Sequence, residues 1–320
     1  MTPTQITAFV AQILLTCSLS VLTYVSMENG KYQYNTLTVP LFAELAKLII
    51  SIIFAIHEHK VKNNGTVKLD TEPRTLLAAA LPALLYFISN NLNFVIIKEL
   101  GPINFQLLSN LKILTTAVAF RVIMQVYLSR LQWRMLFILT IGCILSQLTD
   151  GPGVQLIGST LGYTLKLCNS CLTALAAVLC EKFFKGNANP FHFQNVLLYG
   201  WGTLFTVLSI LIDGKFIFGG FSQLLSGHTF RSSCLILNYA LAGIAASGVM
   251  KYLDTMAKTF AAMTANFVVA GIAVVYFGEH LHLCLVLGGV VAVIAVDVYY
   301  HALLYVNGKI PETQELIHDE

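Results

Sequence analysis

Of 320 residues, 56% are hydrophobic and only 11% are charged, less than half the roughly 25% charged content of ordinary soluble domains. Mean hydropathy is +0.73, and so few charges cannot cover a water-exposed surface, which excludes a soluble two-domain protein. The net charge of +3 is too small to argue for a nucleic-acid partner.

A membrane-crossing helix needs about 20 apolar residues. The first candidate, about 5–27, follows a Met1–Gln5 segment with no Lys or Arg, so it reads as a span and not as a cleavable signal. Further spans are expected at about 38–58, 75–98, 102–125, 132–149, 157–183, 192–213, 234–253, 256–277 and 281–304. Helix stoppers and polar stretches separate them, among them Glu28-Asn-Gly-Lys31, His57 to Arg74, Gly101-Pro102 and Asp150-Gly-Pro-Gly153. Later breaks fall at Lys185-Gly-Asn-Ala-Asn-Pro190, at 214–233 and at Gly278-Glu279.

Ten spans put both termini on one side. Lys60, Lys62, Lys68, Arg74, Arg130, Arg134, Lys182, Lys185 and Lys309 lie on that side, against Lys31, Lys98, Lys215 and Arg231 opposite. The positive-inside bias therefore predicts cytosolic termini, and the formal sequon Asn64-Gly-Thr66 falls in a cytosolic loop, where it stays unmodified. The turn at Gly153 divides the chain into 1–150 and 151–310, five spans each, with a cytosolic tail at 311–320. An odd number of spans per half predicts two inverted five-helix repeats, the architecture of transporters that bind near the midplane.

Polar residues inside the spans need a reason, because an ionisable group at mid-bilayer costs about 2.5–3.5 kcal/mol on insertion scales. Glu44 and Lys47 stand three apart, so they share a helix face as an ion pair, static or opened during transport. Asn90, Asn91 and Asn93 interrupt the third span; such amides either tie helices together or read a nucleobase edge. Lys112 lies about ten residues, or roughly 15 Å, into its helix, either paired with a carboxylate or, the preferred reading, poised to meet a phosphate. Lys166 and Asp297 lie close enough to span ends for snorkelling to account for them. Asn195 and Tyr199, four apart, present one base- or ribose-reading face, and Phe105 and Trp201 offer rings for stacking or for packing. Lys258 begins the ninth span, where snorkelling competes with a role as repeat partner of Lys112. The seven cysteines, including the C-x-x-C pair Cys168 and Cys171, are expected to be inert packing residues. No His spacing suits a metal.

Several segments resemble the nucleotide-sugar transporters of the drug/metabolite transporter superfamily: Ala43-Glu44-Leu-Ala-Lys47-Leu48, Asn90-Asn91, Gln106-Leu-Leu-Ser-Asn-Leu-Lys112-Ile-Leu-Thr-Thr-Ala117, Leu131-Gln-Trp133, Glu181-Lys182, Asn195 with Tyr199, and Ala257-Lys258-Thr-Phe260. The similarity runs from about residue 10 to 305 and is strongest to plant-type CMP-sialic acid transporter-like proteins. It implies a ten-helix Golgi membrane antiporter, not an enzyme, that exchanges cytosolic nucleotide-sugar for lumenal nucleoside monophosphate and needs no cofactor. Its partners would be CMP, a CMP-sugar and membrane lipid, with a homodimer left open. Carried over, Asn90, Asn195 and Tyr199 contact the nucleoside with Thr173 close by, Lys112 and Lys258 hold the phosphate, and Glu44 with Lys47 forms the second-helix pair. Phe105 stands where animal CMP-sialic acid transporters have tyrosine and Trp201 where they have serine, which removes hydroxyls able to read nucleoside or sugar. The alternatives are a UDP-sugar carrier of the UDP-galactose type and a proton-coupled metabolite exporter of the same fold. A membrane-embedded transferase would need an acid/base or metal constellation that the sequence does not offer.

Overall fold

The computed structural model describes residues 2–26, 38–62, 69–147, 159–213, 227–277 and 282–306. Among them every regular element is helical: α1 Pro3–Val25, α2 Thr38–His57, α3 Pro73–Ser109, α4 Lys112–Met124, α5 Arg130–Leu145, α6 Thr160–Gly186, α7 Phe191–Asp213, α8 Phe230–Tyr252, α9 Thr255–Phe277 and α10 Leu283–Val306, with one π turn at Glu58–Lys62. Nine stretches of the described helices are long and apolar enough to cross a membrane. The tenth, α5, has 16 residues, about 24 Å. The chain is a multi-pass helical membrane protein. The Asn64 sequon, the Gly153 turn, Lys31, Lys68, Lys215, Lys309 and the tail from 311 lie outside the described residues.

The outward surface is what a lipid solvent selects. Ile53, Val275 and Val293 are 59%, 75% and 71% exposed, whereas Glu181, Gln194 and Asn195 are fully buried. Helix starts are fixed locally. Ser129 and Gln132 close a reciprocal capping box at α5, and Thr229 with Ser232 does so at α8.

The break expected at Gly101-Pro102 is present: Gly101 has a non-helical φ of 71°, which suits a residue without Cβ, and it separates the apolar stretches Pro73–Gly101 and Asn104–Met124. The fourth span is itself broken. Helix α3 ends at Ser109, and the amides of Asn110 and Leu111 turn back to Leu107 and Leu108 at 3.3 and 3.1 Å, so Lys112 opens a new helix.

The chain packs as two compact units that interleave in sequence. The first comprises Met1–Leu92 and Leu172–Ile272, the second Asn93–Cys171 and Ala273–Glu320. In the first, α1 lies along α8, and α2 packs on α7 and α8. Asn238 donates to Ser18 Oγ at 2.6 Å and Gln5 to the carbonyl of Tyr252 at 2.8 Å, tying α1 to α8 at both levels. In the second, α5 lies against α10 through paired glycines. A Cβ at Gly288 would stand 2.5 Å from the carbonyl oxygen of Gly142, a close approach of the kind small residues permit between membrane helices.

Candidate functional site

Of the ten residues singled out from sequence, eight belong to the first unit and two, Phe105 and Lys112, to the second. Of the first-unit residues, Tyr199 lies in a buried cluster with Cys180, Phe184, Leu198 and Met250, and Trp201 packs against it together with Tyr86 and Leu48.

Helix α7 carries the centre. Asn195, Tyr199 and Gly202 recur at helical spacing on one face. The Tyr199 hydroxyl shares a 2.7 Å hydrogen bond with Ser247 Oγ of α8, and Ser247 in turn donates to the carbonyl of Gly243 at 3.2 Å. The Lys47 ammonium stands 4.7 Å from the centre of the Tyr199 ring and is paired with Glu44 on its own helix. This ion pair fits because its neighbours lack side chains. A Cβ at Gly202 would meet Glu44 Oε2 at 2.9 Å, and one at Gly243 would meet Lys47 Cδ at 2.7 Å.

Asn195 stands apart. It is fully buried, yet neither its amide oxygen nor its amide nitrogen has a hydrogen-bond partner among the described residues. Buried polar groups are almost always satisfied, and an orphan calls for an explanation. One α-helical turn before Tyr199, an amide with both a free donor and a free acceptor has the chemistry to read a nucleobase edge.

Lys258, in the first turn of α9, donates to the Tyr86 hydroxyl at 3.0 Å and lies over the same ring at 5.2 Å. No carboxylate pairs with it among the described residues. Thr173 and Ser89 share a 2.6 Å hydroxyl–hydroxyl bond, next in sequence to the exposed Asn90. Trp201 uses its indole N–H on the carbonyl of Leu76 at 2.9 Å and stacks on Phe205 with centroids 5.7 Å apart.

Sequence reasoning did not assign the residues that hold Lys258 in place. Glu181, with no exposed surface, accepts from the Thr255 amide at 2.7 Å, the Thr255 hydroxyl at 2.6 Å and Lys185 at 2.6 Å. Asp254 accepts from the Ala257 amide at 2.6 Å, and burial pushes its carboxyl above the usual range. Together they cap the helix that carries Lys258. The only sequence signal was the Glu181-Lys182 dipeptide, which had similarity but no stated role.

In the second unit Lys112 begins α4 beyond the break, and Thr115 one turn later donates to the carbonyl of Ser170 on α6 at 3.2 Å. The Phe105 ring is covered by Lys166, whose ammonium lies 3.5 Å from the ring centre and donates to Ser109 Oγ at 2.8 Å. The snorkelling expected of Lys166 does not occur, since the residue is only 5% exposed. Its neighbours on α3 draw it inward instead of toward an interface. The cysteines also differ from expectation. Cys17, Cys143 and Cys180 are buried, but Cys168 and Cys171 are exposed on α6.

Comparison with known proteins adds a family. A family model described as nucleotide-sugar transporter matches residues 2–300. CMP-sialic acid transporter 1 of Oryza sativa subsp. japonica is 32% identical over 295 residues, covering 89% of this chain and 91% of that protein. CMP-sialic acid transporter 1 of Arabidopsis thaliana is 31% identical over 304 residues, covering 91% and 89%. CMP-sialic acid transporter 4 of Arabidopsis thaliana is 31% identical over 296 residues, covering 91% and 83%. One solved crystal structure shares the fold with a TM-score of 0.68 at 14% identity, covering 93% of this chain and 98% of its own.

Proposed function

Because this chain belongs to the nucleotide-sugar transporter family, we propose that it is a Golgi antiporter that exchanges a cytosolic CMP-sugar of the CMP-sialic acid type for lumenal CMP. It acts by alternating access between two inverted five-helix repeats, 1–150 and 151–310, with both termini in the cytosol, and makes no covalent change to its cargo. The names of the plant relatives support the choice of nucleotide.

The observation that carries the reading is the buried amide of Asn195 with both of its polar atoms unpaired among the described residues. A pyrimidine edge supplies what that amide lacks, with Tyr199 one turn away and Asn90 and Thr173 completing the nucleoside contacts. Carried over from the family resemblance, Lys258 in the first unit and Lys112 in the second each act as a phosphate-holding point charge. Glu44 occupies Lys47 while the anion is away. Closing over Lys258, which no carboxylate neutralises among the described residues, would bring a cation into a low-dielectric site at a cost of several kcal/mol, so only loaded protein crosses over, and transport is obligate exchange.

Substituting Lys258 by Met, or Lys112 by Ala, tests the phosphate role through equilibrium binding of CMP to purified protein. Each loses a charge-assisted contact worth about 1.5–3 kcal/mol, so affinity falls by roughly 10-fold to 150-fold. Near-normal affinity in either variant contradicts its role. An amide reads cytosine or uracil according to which way it is turned, so competition between CMP and UMP separates the CMP-sugar reading from a UDP-sugar carrier.

A further inference from the structure

The second unit contains a cation that the proposed site does not use. Lys166 on α6 is 5% exposed and touches one hydroxyl, Ser109 Oγ at 2.8 Å, and one aromatic face, Phe105 at 3.5 Å. Among the described residues no carboxylate pairs with it, and the charge that acts on it is a like charge, the ammonium of Lys112. A buried cation ordinarily keeps a counter-charge, because desolvation otherwise favours losing the proton. Here a ring quadrupole and a neutral oxygen stand in for one, and a second lysine opposes it.

One further feature belongs to the same neighbourhood. One turn before Lys166 on α6, the Tyr163 hydroxyl is buried and has no hydrogen-bond partner among the described residues. This part of the unit therefore holds two ammonium groups and a spare hydroxyl donor.

We propose that Lys166 receives a second anionic group of the cargo, the carboxylate of an acidic sugar, while Lys112 takes the phosphate. The transported nucleotide-sugar is thus one whose sugar carries a carboxylate, and neutral sugars are disfavoured. Ser109, already donating its own proton to the carbonyl of Phe105 at 2.7 Å, orients the ammonium, and the Phe105 face supports it from below. This assignment stands on the proposed CMP-sugar exchange and deepens it.

The test uses the full chain in proteoliposomes preloaded with CMP, following uptake of labelled CMP against three external competitors: CMP, CMP-sialic acid, and CMP-sialic acid methylated on its carboxylate. In the wild type the free acid competes about ten-fold or more better than its ester, the fold-change expected of one charge-assisted contact. In Lys166→Met the acid falls to the level of the ester while competition by CMP stays within about three-fold, and Lys166→Arg restores the preference for the acid. Equal competition by acid and ester in the wild type overturns the proposal and needs no variant. So does a Lys166→Met protein that still prefers the acid, or one that loses CMP and CMP-sialic acid to the same extent. Absence of CMP exchange in the wild type overturns the transport function itself, whereas intact CMP exchange without discrimination of acid from ester overturns the role of Lys166 alone.

Discussion

Replacing Asn195 by Leu separates stability from function at the residue on which the account depends most. The side chain is fully buried and its amide makes no hydrogen bond among the described residues. An amide buried without partners costs about 1–3 kcal/mol by mutational data, and Leu has nearly the same shape, so the ligand-free variant gains roughly that amount. At about 2–4 °C per kcal/mol, its apparent melting temperature rises by a few degrees. Binding moves the other way. Loss of two hydrogen bonds to a base, at about 0.5–1.5 kcal/mol each, weakens CMP by roughly five-fold to 150-fold. The assay is thermal unfolding of detergent-purified protein with and without CMP. Saturating ligand at 100 times Kd adds about 2.7 kcal/mol of stability to the wild type, and at the same CMP concentration the variant gains only about 0.3–1.8 kcal/mol. A ligand-free variant less stable than the wild type, or one with an undiminished CMP shift, refutes the reasoning.

Two more tests address the scaffold. Gly288→Ala places a methyl 2.5 Å from the carbonyl oxygen of Gly142 and 2.7 Å from Ser146, so the α5–α10 contact opens and stability drops by about 1–3 kcal/mol. Gly271→Ala, with nothing within 4 Å, gains helix propensity and leaves the melting temperature unchanged or slightly raised. Comparing the two melting curves checks the packing. His228 lies just before α8, bonded to Thr38 Oγ1 at 2.8 Å and Ser232 Oγ at 3.2 Å, and burial holds its pKa below the ordinary 6.5. The unfolded chain therefore takes up the proton first. Stability is full above about pH 6.5 and declines as pH falls from there toward the lowered folded value; unfolding measured at pH 7.5 and 5.5 shows that decline shrinking in His228→Gln.

Much of the fold was legible because lipid imposes length and hydropathy on each span. The Glu44–Lys47 pair and the shared face of Asn195 and Tyr199 followed from helical spacing alone. Azimuth did not follow. Helices that are apolar on every side carry no periodic mark of which face turns inward, so hydropathy gave the depth of Lys166 but not its neighbours, Phe105 and Ser109. The same blindness made Cys168 and Cys171 read as packing when they are exposed. The interruption at Asn110–Leu111 has no Gly or Pro to announce it. The role of Glu181 as a cap on α9 was hidden because its partner Thr255 is 74 residues away.

The central claim is obligate exchange of CMP, and counterflow tests it most directly. Proteoliposomes preloaded with CMP, UMP, GMP or nothing take up labelled external CMP. The account predicts uptake driven by internal CMP and none into empty vesicles. Equal uptake driven by UMP would contradict CMP selectivity, and uptake into empty vesicles, or no exchange with any nucleotide by folded protein, would contradict the mechanism.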